Sequence, residues 1–148
     1  MLVSSLLLSI GFAILNLTLK ELKLSASGRE SQFALYASDT GTECVLYWDL
    51  KQHAFSTSTA RAISCGGGQV LDPETGAPTE VGGPDDVTTG STIVSSFKID
   101  LSPRPYCAIV TLTKTFLPQQ VTVIESRGYN TCDTGDPRRV ERGIRVSY

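Results

Sequence analysis

The sequence predicts an α+β protein: a long N-terminal α-helix, apolar at first and amphipathic further along, packed on a head built from an antiparallel four-stranded β-sheet. Three observations carry this. Residues 1 to 19 contain no charge, whereas the next eleven, Lys20 to Glu30, contain five. Apolar positions then recur mostly at three- and four-residue steps as far as Trp48. From Thr92 onward the pattern alternates with a period of two.

The stretch from Leu2 to Leu17 is long enough, at about 1.5 Å per helical residue, to cross most of a hydrocarbon core of roughly 30 Å. A secretory signal peptide would need a basic leading region and a small-residue cleavage site. No Lys or Arg precedes Leu2, and the residues after Leu19 continue a helical pattern, so the segment reads as a retained membrane or assembly helix. Beyond Lys20 the apolar positions narrow to a stripe through Leu22, Ala26, Phe33, Tyr36, Ala37, Cys44, Val45 and Trp48. One helix over residues 1–52 is expected, roughly 75 Å long at the standard rise. Residues 1–19 would serve the membrane or a filament core, and residues 20–52 form the amphipathic half. Gly11, Gly28 and Gly41 are its weak points, since a helical glycine costs about 1 kcal/mol relative to alanine.

Residues 53–148 leave room for one globular β head. All four cysteines, Cys44, Cys65, Cys107 and Cys132, follow the apolar segment, and none forms a Cys-x-x-Cys pair. With His53 the only histidine, a zinc site would need four irregularly spaced thiolates. Two disulfides in an exported domain are the better reading. Of the three pairings possible, Cys44 with Cys65 and Cys107 with Cys132 is favoured: the first staples the end of the helix to the segment leaving it, the second ties a strand to the loop before the last strand. Each loop is worth about 3 kcal/mol in the chain-entropy model.

After Leu50 the pattern breaks into Ser56 to Thr59, then Gly66-Gly67-Gly68, which reads as a flexible hinge. Turn chemistry through residues 66–91 predicts a long exposed loop with at most one short strand near Gln69 to Leu71. It holds five acids, Asp72, Glu74, Glu80, Asp85 and Asp86, and no base; the EF-hand pattern is absent, so a solvated acidic loop is expected rather than a calcium site. Four strands follow: Thr92 to Leu101 around Ile93, Phe97 and Ile99; Tyr106 to Lys114 around Ala108, Val110 and Leu112; Gln120 to Glu125 around Val121 and Val123; and Val140 to Tyr148 around Ile144, Val146 and Tyr148. Short connections favour a meander, covered by the amphipathic half of the helix. The last strand is expected to carry Arg138, Arg139, Arg142 and Arg145 as a basic edge that meets acidic surface, in the domain or on a neighbouring copy.

Catalytic and cofactor chemistry is not visible. His53 lacks a neighbouring acid and nucleophile motif and reads as a helix-end or surface residue. There is no phosphate-cradling glycine loop and no serine elbow. The formal net charge of −2, with no aromatic stacking platform beside the arginines, argues against nucleic acid. The expectation is a non-enzyme without cofactor or metal.

The run from Ser27 to Asp49, containing Phe33-Ala-Leu-Tyr-Ala-Ser-Asp-Thr-Gly41 and Glu43-Cys44, is similar to the segment just past the membrane helix in certain bacterial pilin-like proteins. The ending Arg127-Gly-Tyr-Asn-Thr-Cys132, with Arg138-Arg-Val-Glu-Arg142, resembles their closing strands. With the apolar helix and the disulfide-bonded sheet, nearly the whole chain outside the acidic loop resembles a type IV pilin or pseudopilin. It departs from that family at Ser5, where a glutamate is usual, and in lacking the proline that often kinks the helix. The resemblance implies a structural subunit of a surface filament, held in the inner membrane after processing by prepilin peptidase and then drawn by pilus assembly machinery into an extracellular homopolymer. Its filament core would be Leu2, Val3, Leu6, Leu7, Leu8, Ile10, Phe12, Ile14, Leu15 and Leu17, with Ser4, Ser5, Ser9 and Gly11 permitting close helix approach. Candidate lateral contacts are Asp72, Glu74, Asp85 and Asp86 against Arg138, Arg139, Arg142 and Arg145. The alternative is a membrane-anchored exported domain, an adhesin or minor pseudopilin, that does not form the bulk filament.

Overall fold

The computed structural model describes residues 2–148, apart from the side chains of Leu2, Leu6 and Thr89. Two residues expected in a filament core, Leu2 and Leu6, therefore have side chains outside the described set. The class is α+β. Helix α1 runs Leu2–Leu50, and the chain forms two compact units, one up to Glu30 and one from Ser31 to Tyr148. From Ser31 onward the helix is packed on the sheet, so this stretch belongs with the head. After Leu50 the chain turns at His53, whose φ of 50° lies in the left-handed region, and Ala54 N–H donates to the Trp48 carbonyl.

The sheet has five strands where four were expected. All four expected strands form: β6 Thr92–Asp100, β7 Cys107–Thr115, β8 Val121–Tyr129 and β9 Glu141–Ser147. The fifth, β5 Val87–Thr89, precedes them, and the order is an antiparallel meander β5-β6-β7-β8-β9. β5 lies within residues 66–91, expected as an exposed loop, and so do two further short strands. Strands β1 Ala60–Ala62 and β4 Glu80–Gly82 pair, as do β2 Ser64–Cys65 and β3 Gly68–Gln69. Gly66 and Gly67, expected as a hinge, are the two-residue turn of the β2–β3 hairpin, with φ of 63° and 90° as a type I′ turn requires. Leu71 exchanges two backbone hydrogen bonds with Lys98. The physical reason the loop reading fails is burial: Val70 and Val81 are fully covered by the sheet, and the turn residues around them hide how few apolar anchors suffice.

The helix is also not the sole cover of the sheet. Ala54, Phe55, Ile63, Cys65, Val70 and Val81 join Ile93, Phe97, Ile99, Val110, Leu112 and Ile124 in one core with Val45 of the helix. Phe55 and Phe97 stack with ring centroids 6.4 Å apart.

Over β7 and β8 the helix supplies the cover, rung by rung. The inner-face rungs are Ile99–Ala108–Gly128–Arg142, then Phe97–Val110–Ser126–Ile144, then Ser95–Leu112–Ile124–Val146. Two strand residues and four helical residues both advance about 6 to 7 Å, so contacts repeat in step. Ala34, Ala37 and Ser38 lie against Gly128; Gly41 lies against Ser126, Val110 and Ala108; Asp49 meets Lys114. A Cβ at Gly128 would overlap the Ala34 carbonyl oxygen and the Ser38 amide nitrogen. This approach needs glycine.

Three sequence expectations change here. The core-facing side of β8 is Thr122, Ile124 and Ser126, so Val121 and Val123 face outward; the apolar alternation there marks the wrong face because the helix meets β8 through small and hydroxyl residues. Tyr36 and Leu22, placed on the apolar stripe, are 62 % exposed each, and the helix instead buries Ala34, Ser38, Thr42 and Asp49 beside Ala37 and Val45. Arg138 and Arg139 precede β9 instead of lying on it.

Candidate assembly surfaces

In the first unit the described apolar side chains are exposed. Val3, Leu7, Leu8, Ile10, Phe12, Ile14, Leu15 and Leu17 are all more than half exposed, with Leu8 at 78 %. Ser5, Leu8, Ser9, Gly11, Phe12 and Leu15 line one shallow groove. The Thr18 hydroxyl donates to the Ile14 carbonyl at 2.7 Å, so it presents no bare donor to an apolar medium. By length and composition this helix can cross a membrane.

Both favoured disulfides form, Cys44–Cys65 and Cys107–Cys132. Trp48, one turn beyond Cys44, donates its indole N–H to the Ser64 carbonyl at 3.1 Å, so hydrogen bond and disulfide hold the same short strand. At the other end of the packed helix Phe33 stacks on Tyr106, ring centroids 4.7 Å apart, next to Cys107. Asp100, Cys107 and Cys132 lie close enough together to suggest a metal triad, but both sulfurs are consumed by the disulfide.

The charged candidates separate into committed and outward-facing groups. Asp72 Oδ1 accepts from Glu74 N, Thr75 N and the Thr75 hydroxyl, which holds its carboxyl below the usual range, the Thr75 backbone bond contributing most. Asp86 Oδ2 accepts from Gly82 N at 2.7 Å and from the buried Ser95 hydroxyl. Both carboxylates shape their own segment. Glu74 and Asp85 are exposed. Arg139 lies over the Tyr129 ring at 3.7 Å, and Arg142 Nε donates to Ser31 Oγ at 2.8 Å. Arg145 pairs with Glu125 at 3.2 Å across β9 and β8, and Arg138 approaches Asp136 at 3.8 Å, both largely in solvent. The structure thus does not bring the acidic and basic candidates together within one chain. β9 is one of the sheet's two edge strands, and its arginines discourage indiscriminate strand pairing.

A buried polar cluster went unrecognised in the sequence. Asp49 is 2 % and Lys114 6 % exposed; Lys114 Nζ meets Asp49 Oδ1 at 2.6 Å, and the Tyr148 hydroxyl donates to Asp49 Oδ2 at 2.8 Å. Burial first, then the bond to the Asp49 carboxylate, pushes the Tyr148 phenol well above its usual range. The signal was present: Lys114 falls in the same alternating register as Ala108, Val110 and Leu112. His53 is exposed on the turn after α1.

No protein-family model matches this chain, and no curated protein or solved structure is significantly similar to it.

Proposed function

We propose that this protein is a structural subunit of a type IV pilus or related surface filament. The reading rests chiefly on α1, which begins apolar on all sides and uncovered and ends as the spine of a disulfide-bonded head. Such a helix needs an apolar environment, which in this reading is a lipid bilayer before assembly and then a bundle of its own copies. The groove through Ser5, Ser9 and Gly11 gives neighbouring helices room for close approach. Glu74 and Asp85 on one side, with Arg138, Arg142 and Arg145 at the β9 edge, are the charged groups placed to steer lateral contacts between heads. The subunit would wait in the inner membrane, be processed by prepilin peptidase, and be extracted by assembly machinery into an extracellular homopolymer without enzymatic activity.

The competing reading, an anchored exported domain that never polymerises, shares the membrane helix and differs in what a charge inside it does. Leu8→Lys or Leu15→Lys is expected to abolish surface filaments while the chain is still made and its disulfides still form. Normal filaments from either variant would refute the helical core.

A further inference from the structure

We propose that Asp49 and Lys114 condense to an intramolecular isopeptide bond joining the end of α1 to the central strand β7. Two reacting groups on separate rigid elements are already in contact, Nζ to Oδ1 at 2.6 Å, with side-chain exposures of 8 % for Lys114 and 1 % for Asp49. Such fixed proximity replaces the entropy loss of a bimolecular encounter and is worth many orders of magnitude in effective concentration. The surroundings favour the product as well. An ion pair this deeply buried has lost its hydration, and only part of that loss is returned by mutual attraction. An amide at the same place carries no charge and retains a donor and an acceptor.

The step balances without a co-reactant. The Lys114 ammonium passes one proton to Asp49 along their short hydrogen bond, leaving a neutral amine beside a neutral carboxylic acid. The nitrogen lone pair attacks Asp49 Cγ, forming the C–N bond, and negative charge develops on Oδ2. Tyr148 already donates to that oxygen at 2.8 Å, in the position of an oxyanion donor. The Cγ–Oδ1 bond then breaks, and Oδ1 departs as water with the proton received earlier and a second from nitrogen. Ammonium plus carboxylate becomes amide plus water, with no change of oxidation state.

The link would interleave with the two disulfides. Cys44 lies just before Asp49 on the helix, and Cys107 lies on the same strand as Lys114. Pulling force entering along α1 would reach Cys132 by way of Asp49, Lys114 and Cys107, bypassing the chain between Leu50 and Tyr106.

The test is mass spectrometry of the full chain, purified folded, then reduced, alkylated and digested with trypsin. The peptides carrying Asp49 and Lys114 are expected as one branched species lighter than their sum by one water. Lys114→Arg keeps the charge, removes the nucleophile and should give only unlinked chain; Tyr148→Phe should lower the linked fraction at least tenfold at equal times after folding. Recovery of Asp49 and Lys114 on separate, unmodified peptides from folded wild-type protein would overturn the proposal.

Discussion

Ser38 on the helix and Ser126 on β8 each donate a hydroxyl proton to the other's backbone carbonyl, at 2.7 Å in both directions. Both residues are fully buried, so each hydroxyl places its proton on a carbonyl that water cannot reach, the Ser38 carbonyl also accepting from the Thr42 hydroxyl at 3.0 Å. Removing one of them by Ser126→Ala is expected to lower stability by about 1 to 2 kcal/mol. Because the two bonds share both residues, the double variant with Ser38→Ala should be non-additive in a denaturant-unfolding cycle of the full chain in detergent.

The same seam predicts a contrast between two glycines. Gly128→Ala drives a methyl group into the Ala34 carbonyl and the Ser38 amide, and should destabilise the chain by about 3 kcal/mol or prevent folding. Gly143→Ala, on the neighbouring strand, meets nothing closer than 3.8 Å and should change stability little. Equal effects at the two positions would contradict the close helix–sheet approach.

Much of this was legible in the sequence, and the remainder has physical causes. The uncharged opening, the helix reaching Leu50, the four long strands and both disulfides follow from hydropathy, period and cysteine placement. Ser38, Gly41, Thr42, Ser126 and Gly128 do not look like a core, because what they optimise is closeness and hydrogen bonding instead of apolar area. β5 and the short strands β1 to β4 are two or three residues long and owe their existence to the partners they pair with, which no local pattern announces. Of the charged candidates, the sequence could list the acids and arginines but could not tell that Asp72, Asp86 and Arg139 are engaged locally.

Breaking the buried pair from one side should be worse than removing it. Measured against Lys114→Arg, which keeps the charge and cannot be linked, Lys114→Met strands the Asp49 carboxylate against Tyr148 alone and is expected to cost about 3 to 5 kcal/mol. Adding Asp49→Leu to that variant should restore a substantial part, measured by the urea midpoint at constant slope.

Alkaline pH offers an independent check. Burial raises the phenols of Tyr148 and, with help from a hydrogen bond to Glu141, Tyr129 above their usual value. In the unfolded chain both ionise near pH 10. The unfolded state therefore loses protons first as pH rises, so this stabilisation is fully present below about pH 10 and is lost progressively above it. Tyr148→Phe should flatten the alkaline fall of the unfolding free energy, and an unchanged slope would argue against the bond between the phenol and Asp49.

At the β9 edge, Arg145→Ala removes an exposed pair with Glu125 and should alter subunit stability by no more than about 1 kcal/mol. If the edge makes lateral contacts, the same substitution should reduce the yield of sheared surface filaments and make it more sensitive to salt, which quantitative immunoblotting of the sheared fraction will measure.

The central claim is that residues 2–19 pack against copies of themselves outside the cell, and cross-linking reads this directly. With Leu15→Cys introduced into the full chain, oxidation of the sheared extracellular fraction should give disulfide-linked multimers absent from the parent protein. Only monomers in that fraction, or a protein that never leaves the membrane, would contradict a filament core built from this helix.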